Sequence, residues 1–341
     1  MMRRMSSFVL VTGGAGFIGS HLIDRLLLDG HHVMAIDDLS NGRLENIKHH
    51  LGQRSFQFVH GSLMDTDSVS KAVKGADTIL HHAAIVSVVR STRRPLVANK
   101  VNVTGTLRLL ECARKNNVER FVLASSAAVY GRAHRPPLDE DMAPIPDSPY
   151  GASKSAAEAY CLSYFKTYGL KTITLRYSNV YGPRRSPGMY SGVMMKFAEK
   201  MCDGKQPVIF GDGRQTRDFI YVSDVVRANV LVMNHDTLGG EIVNVGTGSA
   251  TSINALAKAF AGILGFQRLA PSHAPERPGE IRDSYLNVNK ARHRLNFNTR
   301  TSLKHGLSHF LKWYIDNFPS KRGSAIGRPM AGRDSRSRQF V

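Results

Sequence analysis

The sequence predicts an α/β chain in which a doubly wound parallel sheet carries a smaller α/β lobe. Three observations predict it. Short β-branched runs alternate with stretches of helical periodicity through the first half of the chain. A glycine-rich turn, Gly13-Gly14-Ala15-Gly16-Phe17-Ile18-Gly19, separates the first run from the first helical stretch. The second run ends on an acid, Asp37. Alternation of this kind builds parallel sheets, because each parallel crossover needs a helix to return the chain to the same edge.

In chain order, FVLVTG (8–13) reads as a buried strand, and Ile18, Leu22 and Leu26 then recur at helical spacing up to Gly30. HVMAID (32–37) is the second strand. SFQFVHG (55–61), DTILHHAA (77–84), RFVLASS (120–126) and KTITLRYS (171–178) are further strands, with helices near 64–74, 97–116 and 150–168 between them. After Asn179 the texture changes. Residues 181–216 are rich in Gly and Pro with one helix near 191–203, and FIYVSDVVRANVLVMN (219–234) and EIVNVG (241–246) read as a return to the sheet. Ser252–Leu264 and Lys304–Asn317 read as helices. The expected division is a nucleotide-binding domain of 1–178 plus 217–246 and a substrate-binding lobe of 179–216 plus 247–319.

Composition bounds the rest. With 341 residues, 42% of them hydrophobic, the chain can bury a large core. It has no apolar run of about 18 residues or more, so no membrane span is expected. The net charge of +19 is high, and part of it is local: 320–341 holds six basic side chains against Asp334. That tail is poor in apolar residues and is expected to be disordered. The remaining excess suits an anionic small substrate, and most of it reads as solvated surface. Nucleic acid is not the expected partner, although the basic tail leaves it open. Cys112, Cys161 and Cys202 are scattered without metal spacing and fit a reducing cytoplasm. The pairs His31-His32, His49-His50 and His81-His82 have no third ligand at a fixed spacing, so no metal is expected.

The glycine turn has a definite chemistry. Glycine lets backbone turn tightly and approach a pyrophosphate, while the helix that follows offers free N–H groups and its positive end. Asp37 lies 18 residues beyond Gly19, where a carboxylate accepts from adenosine ribose hydroxyls and repels a 2′-phosphate. NAD is therefore expected rather than NADP. Tyr150 and Lys154 are four apart on one helix face, where an ammonium favours a phenolate and equips it as a general base. Ser126 closes the strand RFVLASS at the sheet edge where α/β folds bind ligands.

The blocks TGGAGFIGSHL (12–22), HHAA (81–84), NVTGT (102–106), SSAAVYG (125–131), SPYGASK (148–154), LRYSNVYGP (175–183), RDFIYVSD (217–224) and ERPGE (276–280) stand in one order over about residues 8–318. In this the chain resembles the extended short-chain dehydrogenase/reductases, and within them the NAD-dependent epimerase/dehydratase family. The resemblance implies a Rossmann sheet, a catalytic Ser126, Tyr150 and Lys154, and NAD contacts at Gly13, Gly16, Phe17, Ile18, Asp37, Asp38, Leu63, Ala83, Asn102, Tyr150, Lys154 and Tyr177. It also implies a homodimer paired through helices near 97–116 and 150–168. One departure is Ser62, which stands where many members carry an acid toward the adenine amine.

Family members begin alike, taking a proton from the sugar 4-hydroxyl and hydride from C4. Dehydratases then need an Asp-Glu pair just after the triad serine or threonine, and decarboxylases a nearby Glu. Here those positions are Ala127 and Ala128, so the resemblance implies C4 epimerisation of a UDP-hexose. It further implies substrate contacts at Ser87, Ser126, Asn179, Val193, Arg217, Arg277 and Ser284. Arg217 and Arg277 would clamp the diphosphate, Asn179 would donate to it, and Val193 would lie near the uracil. The small Ser284, with Ser87, leaves room for an N-acetyl group, admitting UDP-N-acetylglucosamine beside UDP-glucose. The alternatives are a UDP-glucuronate epimerase or decarboxylase, a 4,6-dehydratase, or a non-catalytic member that binds nucleic acid.

Overall fold

The structure is a computed structural model that describes residues 6–185, 192–266, 270–277 and 279–318. The basic tail from Ser320 lies outside the described residues. In chain order the elements are β1 (Phe8–Thr12), α1 (Phe17–Leu28), β2 (His32–Asp37), β3 (Phe56–His60), α2 (Thr66–Val73), β4 (Thr78–His81), α3 (Val88–Arg93), α4 (Pro95–Asn99), α5 (Gly105–Lys115), β5 (Arg120–Ser126), α6 (Pro149–Tyr168) and β6 (Lys171–Tyr177). There follow β7 (Asn179–Tyr181), α7 (Val193–Met201), β8 (Val208–Phe210), β9 (Thr216–Arg217), β10 (Phe219–Tyr221), α8 (Val222–Met233), β11 (Glu241–Val245), β12 (Thr251–Ser252), α9 (Ile253–Leu264), β13 (Ser272–Ala274), β14 (Asp283–Ser284), α10 (Asn289–Leu295) and α11 (Leu303–Asn317).

Seven strands form one parallel sheet in the order β11-β6-β5-β4-β1-β2-β3. Strand order reverses between β1 and β4, and that reversal opens the crevice where such sheets bind ligands. Alternation along β1 explains its continuous apolar run. Val9 and Val11 enter one core with Leu22 and Ile23 of α1 and Val225 of α8. Leu10 enters the other with Val69 of α2, Leu109 of α5 and Ala157 of α6. Both faces are covered, so Val9, Leu10 and Val11 are all apolar. A third core joins Met194 and Phe197 of α7, Phe260 of α9 and Phe310 of α11.

Two expectations need correction. Residues 219–234 do not return to the main sheet: Phe219–Tyr221 pairs with β7 in a separate two-stranded sheet, Val222–Met233 is helix, and only β11 rejoins. The buried residues Val222, Val225, Val226, Asn229, Val232 and Met233 carry a helical period that their β-branched composition hid. The helix expected at 97–116 is also not uniform. Pro95 opens α4, a π turn spans Lys100–Thr104, and α5 begins at Gly105.

The long helix α6 is closed at both ends. The Ser148 hydroxyl accepts from the Gly151 N–H at 3.1 Å, Pro149 occupies the first turn, and Gly169 takes the left-handed conformation beyond the C-terminus. Its inner face is held to the sheet by a buried ion pair: Arg176 of β6 donates from Nη2 to Glu158 Oε2 at 2.8 Å, with the two side chains 1% and 4% exposed. Ser125 Oγ donates to the same carboxylate at 2.5 Å, and the Tyr130 ring lies 4.7 Å from the guanidinium. Removing one partner of such a pair strands the other charge. Glu158→Ala should therefore lower unfolding free energy by about 3–5 kcal/mol in urea titration; a loss below about 1 kcal/mol would mean that water reaches Arg176.

Candidate active site

The glycine turn folds as its composition requires. Gly13 has φ +67°, and a β-carbon there would lie 2.8 Å from the Ala83 nitrogen. A side chain at Gly19 would collide with the Gly13 carbonyl oxygen. The two glycines thus let β1, β4 and α1 converge behind one turn. Gly16 precedes the first turn of α1, where Phe17 and Ile18 sit, and no side chain caps that end. Thr12 Oγ1 accepts the N–H groups of His82 and Ala83, each at 3.1 Å, which fixes the adjoining wall.

At the end of β2, Asp37 is almost enclosed. Its Oδ2 accepts from the Ala15 N–H at 3.0 Å and its Oδ1 from the Leu39 N–H at 2.8 Å. Burial raises its pKa while these two bonds lower it. Asp38 is turned outward and takes the Ser40 N–H. Leu63 is buried, with its carbonyl bonded to Arg108. A cradle that only glycine fits, an uncapped helix start and an acid at the end of β2 fit a dinucleotide. So does the orphaned, buried ring nitrogen Nδ1 of half-buried His82, whose ring stacks on Tyr177 with centroids 6.1 Å apart.

Asn102, at the expected cofactor wall, is also held by the protein itself. Its Oδ1 accepts from the Ile85 N–H at 2.8 Å, and its Nδ2 donates to the Ile85 carbonyl at 3.0 Å and to Ser153 Oγ at 2.9 Å. Both amide hydrogens and the amide oxygen have protein partners, so Asn102 ties the wall after β4 to α6. The π turn around it gives the side chain that direction. The Tyr177 hydroxyl is likewise engaged, receiving a bond from Asn229 Nδ2 at 2.8 Å.

Ser126, Tyr150 and Lys154 converge where β5 meets α6. The Ser126 oxygen accepts the Ala128 N–H at 3.2 Å, and the hydroxyl is near enough to Tyr150 to pull the phenol pKa down. Tyr150 is 8% exposed and Lys154 4%. Lys154 Nζ donates to the Ala124 carbonyl oxygen at 2.7 Å, and burial lowers its own pKa to about 8. Burial raises the Tyr150 pKa, and the pull back comes from Ser126 and from the charge of Arg185. Arg185 was not singled out from the sequence. Its Nη1 donates to the Val180 carbonyl at 2.5 Å, and its guanidinium lies 5.8 Å from the Phe17 ring centroid. The only signal was two arginines following Pro183 in the LRYSNVYGP block.

On the other side of the cleft, β9 and β14 pair so that Arg217 and Ser284 are register partners. Arg217 is not free: Nη2 bonds Glu280 Oε1 at 2.5 Å and Nη1 the Thr216 carbonyl at 2.7 Å. Arg277 is exposed and lies 3.7 Å over the Phe210 ring. The Glu280 N–H donates to the Arg277 carbonyl, so one turn carries both arginine environments. Asn179 bonds the Asp218 carbonyl through its own N–H at 2.8 Å and through Nδ2 at 3.2 Å. Val193 opens α7, and Ser87 caps α3 by accepting the Arg90 N–H at 3.1 Å. Asp218 was not foreseen as a structural centre. Wholly buried, its carboxylate takes the Thr247 N–H and hydroxyl at 2.9 and 2.7 Å and the Gly248 N–H at 3.0 Å.

Known proteins match this chain over most of its length. A family model described as the NAD dependent epimerase/dehydratase family matches residues 9–246. A UDP-glucose 4-epimerase of Mycolicibacterium smegmatis is 41% identical over 307 residues, covering 89% of this chain and 97% of the relative. The crystal structure of a UDP-glucose 4-epimerase with UDP-glucose from Thermotoga maritima superposes with a TM-score of 0.85 at 38% identity, covering 91% of this chain and 99% of that one. A UDP-N-acetylglucosamine 4-epimerase from Methanobrevibacter ruminantium, in complex with UDP-N-acetylmuramic acid, gives 0.87 at 36% identity, covering 92% and 99%.

Gly19→Ala tests the cradle. The added methyl should weaken dinucleotide retention about tenfold or more, measured by fluorescence titration, with circular dichroism reporting an intact fold. Undiminished retention would mean that the turn does not hold the pyrophosphate.

Proposed function

The chain belongs to the NAD dependent epimerase/dehydratase family, and within it we propose an isomerase that inverts C4 of a UDP-hexose. The observation that carries this reading is the pair Ala127-Ala128, which follows Ser126 in a short 3₁₀ turn. Methyl groups stand where elimination or decarboxylation needs acids and bases, whereas epimerisation needs neither.

Bound NAD supplies a hydride acceptor and donor and, when oxidised, a fixed positive charge. Tyr150 takes the proton of the 4-hydroxyl and later returns it. Its buried phenol ionises only against opposing charge, which Arg185 supplies in part. The Ser126 hydroxyl, beside the Tyr150 phenol, orients the sugar oxygen. Lys154 adds an ammonium behind them. Arg217 and Arg277 receive the diphosphate, with phosphate oxygens replacing Glu280 on Arg217. Asn179 donates to the diphosphate and Val193 lies by the uracil. The hydroxymethyl side chains of Ser284 and Ser87 leave room for an acetamido group, so both the hexose and N-acetylhexosamine pairs are admitted.

A second reading, C4 epimerisation of UDP-glucuronate, is favoured by Arg185, whose charge beside Tyr150 would pair with a sugar carboxylate. We place the enzyme in the cytoplasm as a homodimer joined through α5 and α6, whose outer surface exposes Tyr160 and Tyr168. No helix among the described residues is long and apolar enough to cross a membrane.

Incubating the holoprotein with UDP-glucose, UDP-N-acetylglucosamine and UDP-glucuronate side by side should yield a C4 epimer of unchanged mass. A 4-keto-6-deoxy product or released carbon dioxide would overturn the reading. Tyr150→Phe should lower turnover about 10²–10⁴-fold, the usual contribution of a general base, while the dinucleotide stays bound. Near-normal turnover would displace Tyr150 from its role. Because the Lys154 ammonium is lost as pH rises through about 8, turnover should decline across that range in a pH–rate profile. A rate still flat near pH 10 would show that the charge is not needed.

A further inference from the structure

Away from the cleft, Asp24 on α1 faces the short 3₁₀ turn Lys48–His50. His50 Nε2 lies 2.7 Å and His49 Nε2 3.1 Å from the same carboxylate oxygen, Asp24 Oδ1. The three atoms lie within 4.8 Å of one another, and the two imidazole rings pack with centroids 4.0 Å apart. We propose that Asp24, His49 and His50 form a binding site for a first-row transition-metal dication of the zinc type.

The donor set decides the class of ion. Two imidazole nitrogens with one carboxylate oxygen suit zinc, cobalt or nickel, whereas calcium and magnesium require a shell of oxygens. Donors bound to one tetrahedral zinc at about 2.1 Å stand about 3.4 Å apart. The two separations from Oδ1, 2.7 and 3.1 Å, are both shorter than that, so side-chain rotations that spread the donors by a few tenths of an ångström would seat an ion. The surroundings are arranged as a metal site's are. Asp24 Oδ2 accepts from Arg184 Nη2 at 2.7 Å, which fixes the carboxylate and leaves Oδ1 to the ion. The Gln53 side-chain amide lies 3.2 Å from His50 Nδ1, and its oxygen, after an amide rotation, would accept the proton that a metal-bound imidazole carries there. With the His49 side chain 47% exposed there is a path in, and three protein ligands leave a coordination position open to water. A hydrogen-bonded cluster without an ion would use the same contacts. Metal affinity separates the two.

The test uses the full chain without a polyhistidine tag, stripped with chelator and titrated with Zn²⁺ by calorimetry and with Co²⁺ by visible absorption. One equivalent should bind, with Co²⁺ bands of low coordination number, and Zn²⁺ should raise the thermal midpoint. Asp24→Asn, His49→Ala and His50→Ala should each weaken binding about tenfold or more, while His32→Ala, at another exposed histidine, should not. His49→Ala alters an exposed side chain, and an unchanged unfolding midpoint in metal-free buffer would show that it folds. Absence of saturable binding, or binding equal in wild type and in the His49→Ala and His50→Ala proteins, would overturn the proposal.

Discussion

A carboxylate and a guanidinium shut away from water organise this molecule. Glu158 lies one turn beyond Lys154 on α6, and Arg176 lies one residue before Tyr177 on β6. Because neither charge is tolerated alone in that interior, α6 must sit against β5 and β6 at one height. Ser125, next to Ser126, donates to the same carboxylate. Three of the residues that face the crevice are therefore chain neighbours of one buried network. Their alignment is enforced by electrostatics behind the sheet and not by contacts within the cleft.

Burial also sets the chemistry in front. The interior makes charge costly, so Tyr150 resists losing its proton and Lys154 holds its own weakly. A buried phenol becomes a useful base only where cations oppose that cost, and here they arrive from two directions. Arg185 comes from the loop after β7, and an oxidised nicotinamide would bring a charge of its own. A bound, oxidised nicotinamide would thus add a second positive charge to that of Arg185 in favour of the ionised phenol.

Much of this was legible in the sequence. RFVLASS forms a strand over Arg120–Ser126, and the glycine turn lies between β1 and α1 as its spacing demanded. Local pattern governs both. Val222–Met233 was misread because β-branched residues satisfy either period over a short run, and the packing of α8 on α1 decides between them. The side-chain partners of Asn102 and Arg217 could not be read at all, since Ser153 and Glu280 lie 51 and 63 residues away. The same holds for His49 and His50. Their third partner, Asp24, stands 25 and 26 residues earlier, outside any spacing a motif would show.

Asp218 has a consequence for motion. The segments that cross between the sheet and the substrate side meet at this one residue: β7 bonds its carbonyl, the turn after β11 bonds its carboxylate, and its N–H donates to Ser284. Swinging the far elements open would uncover a charge with no other partners. Any separation of the two sides would therefore have to break several bonds to one buried aspartate at once.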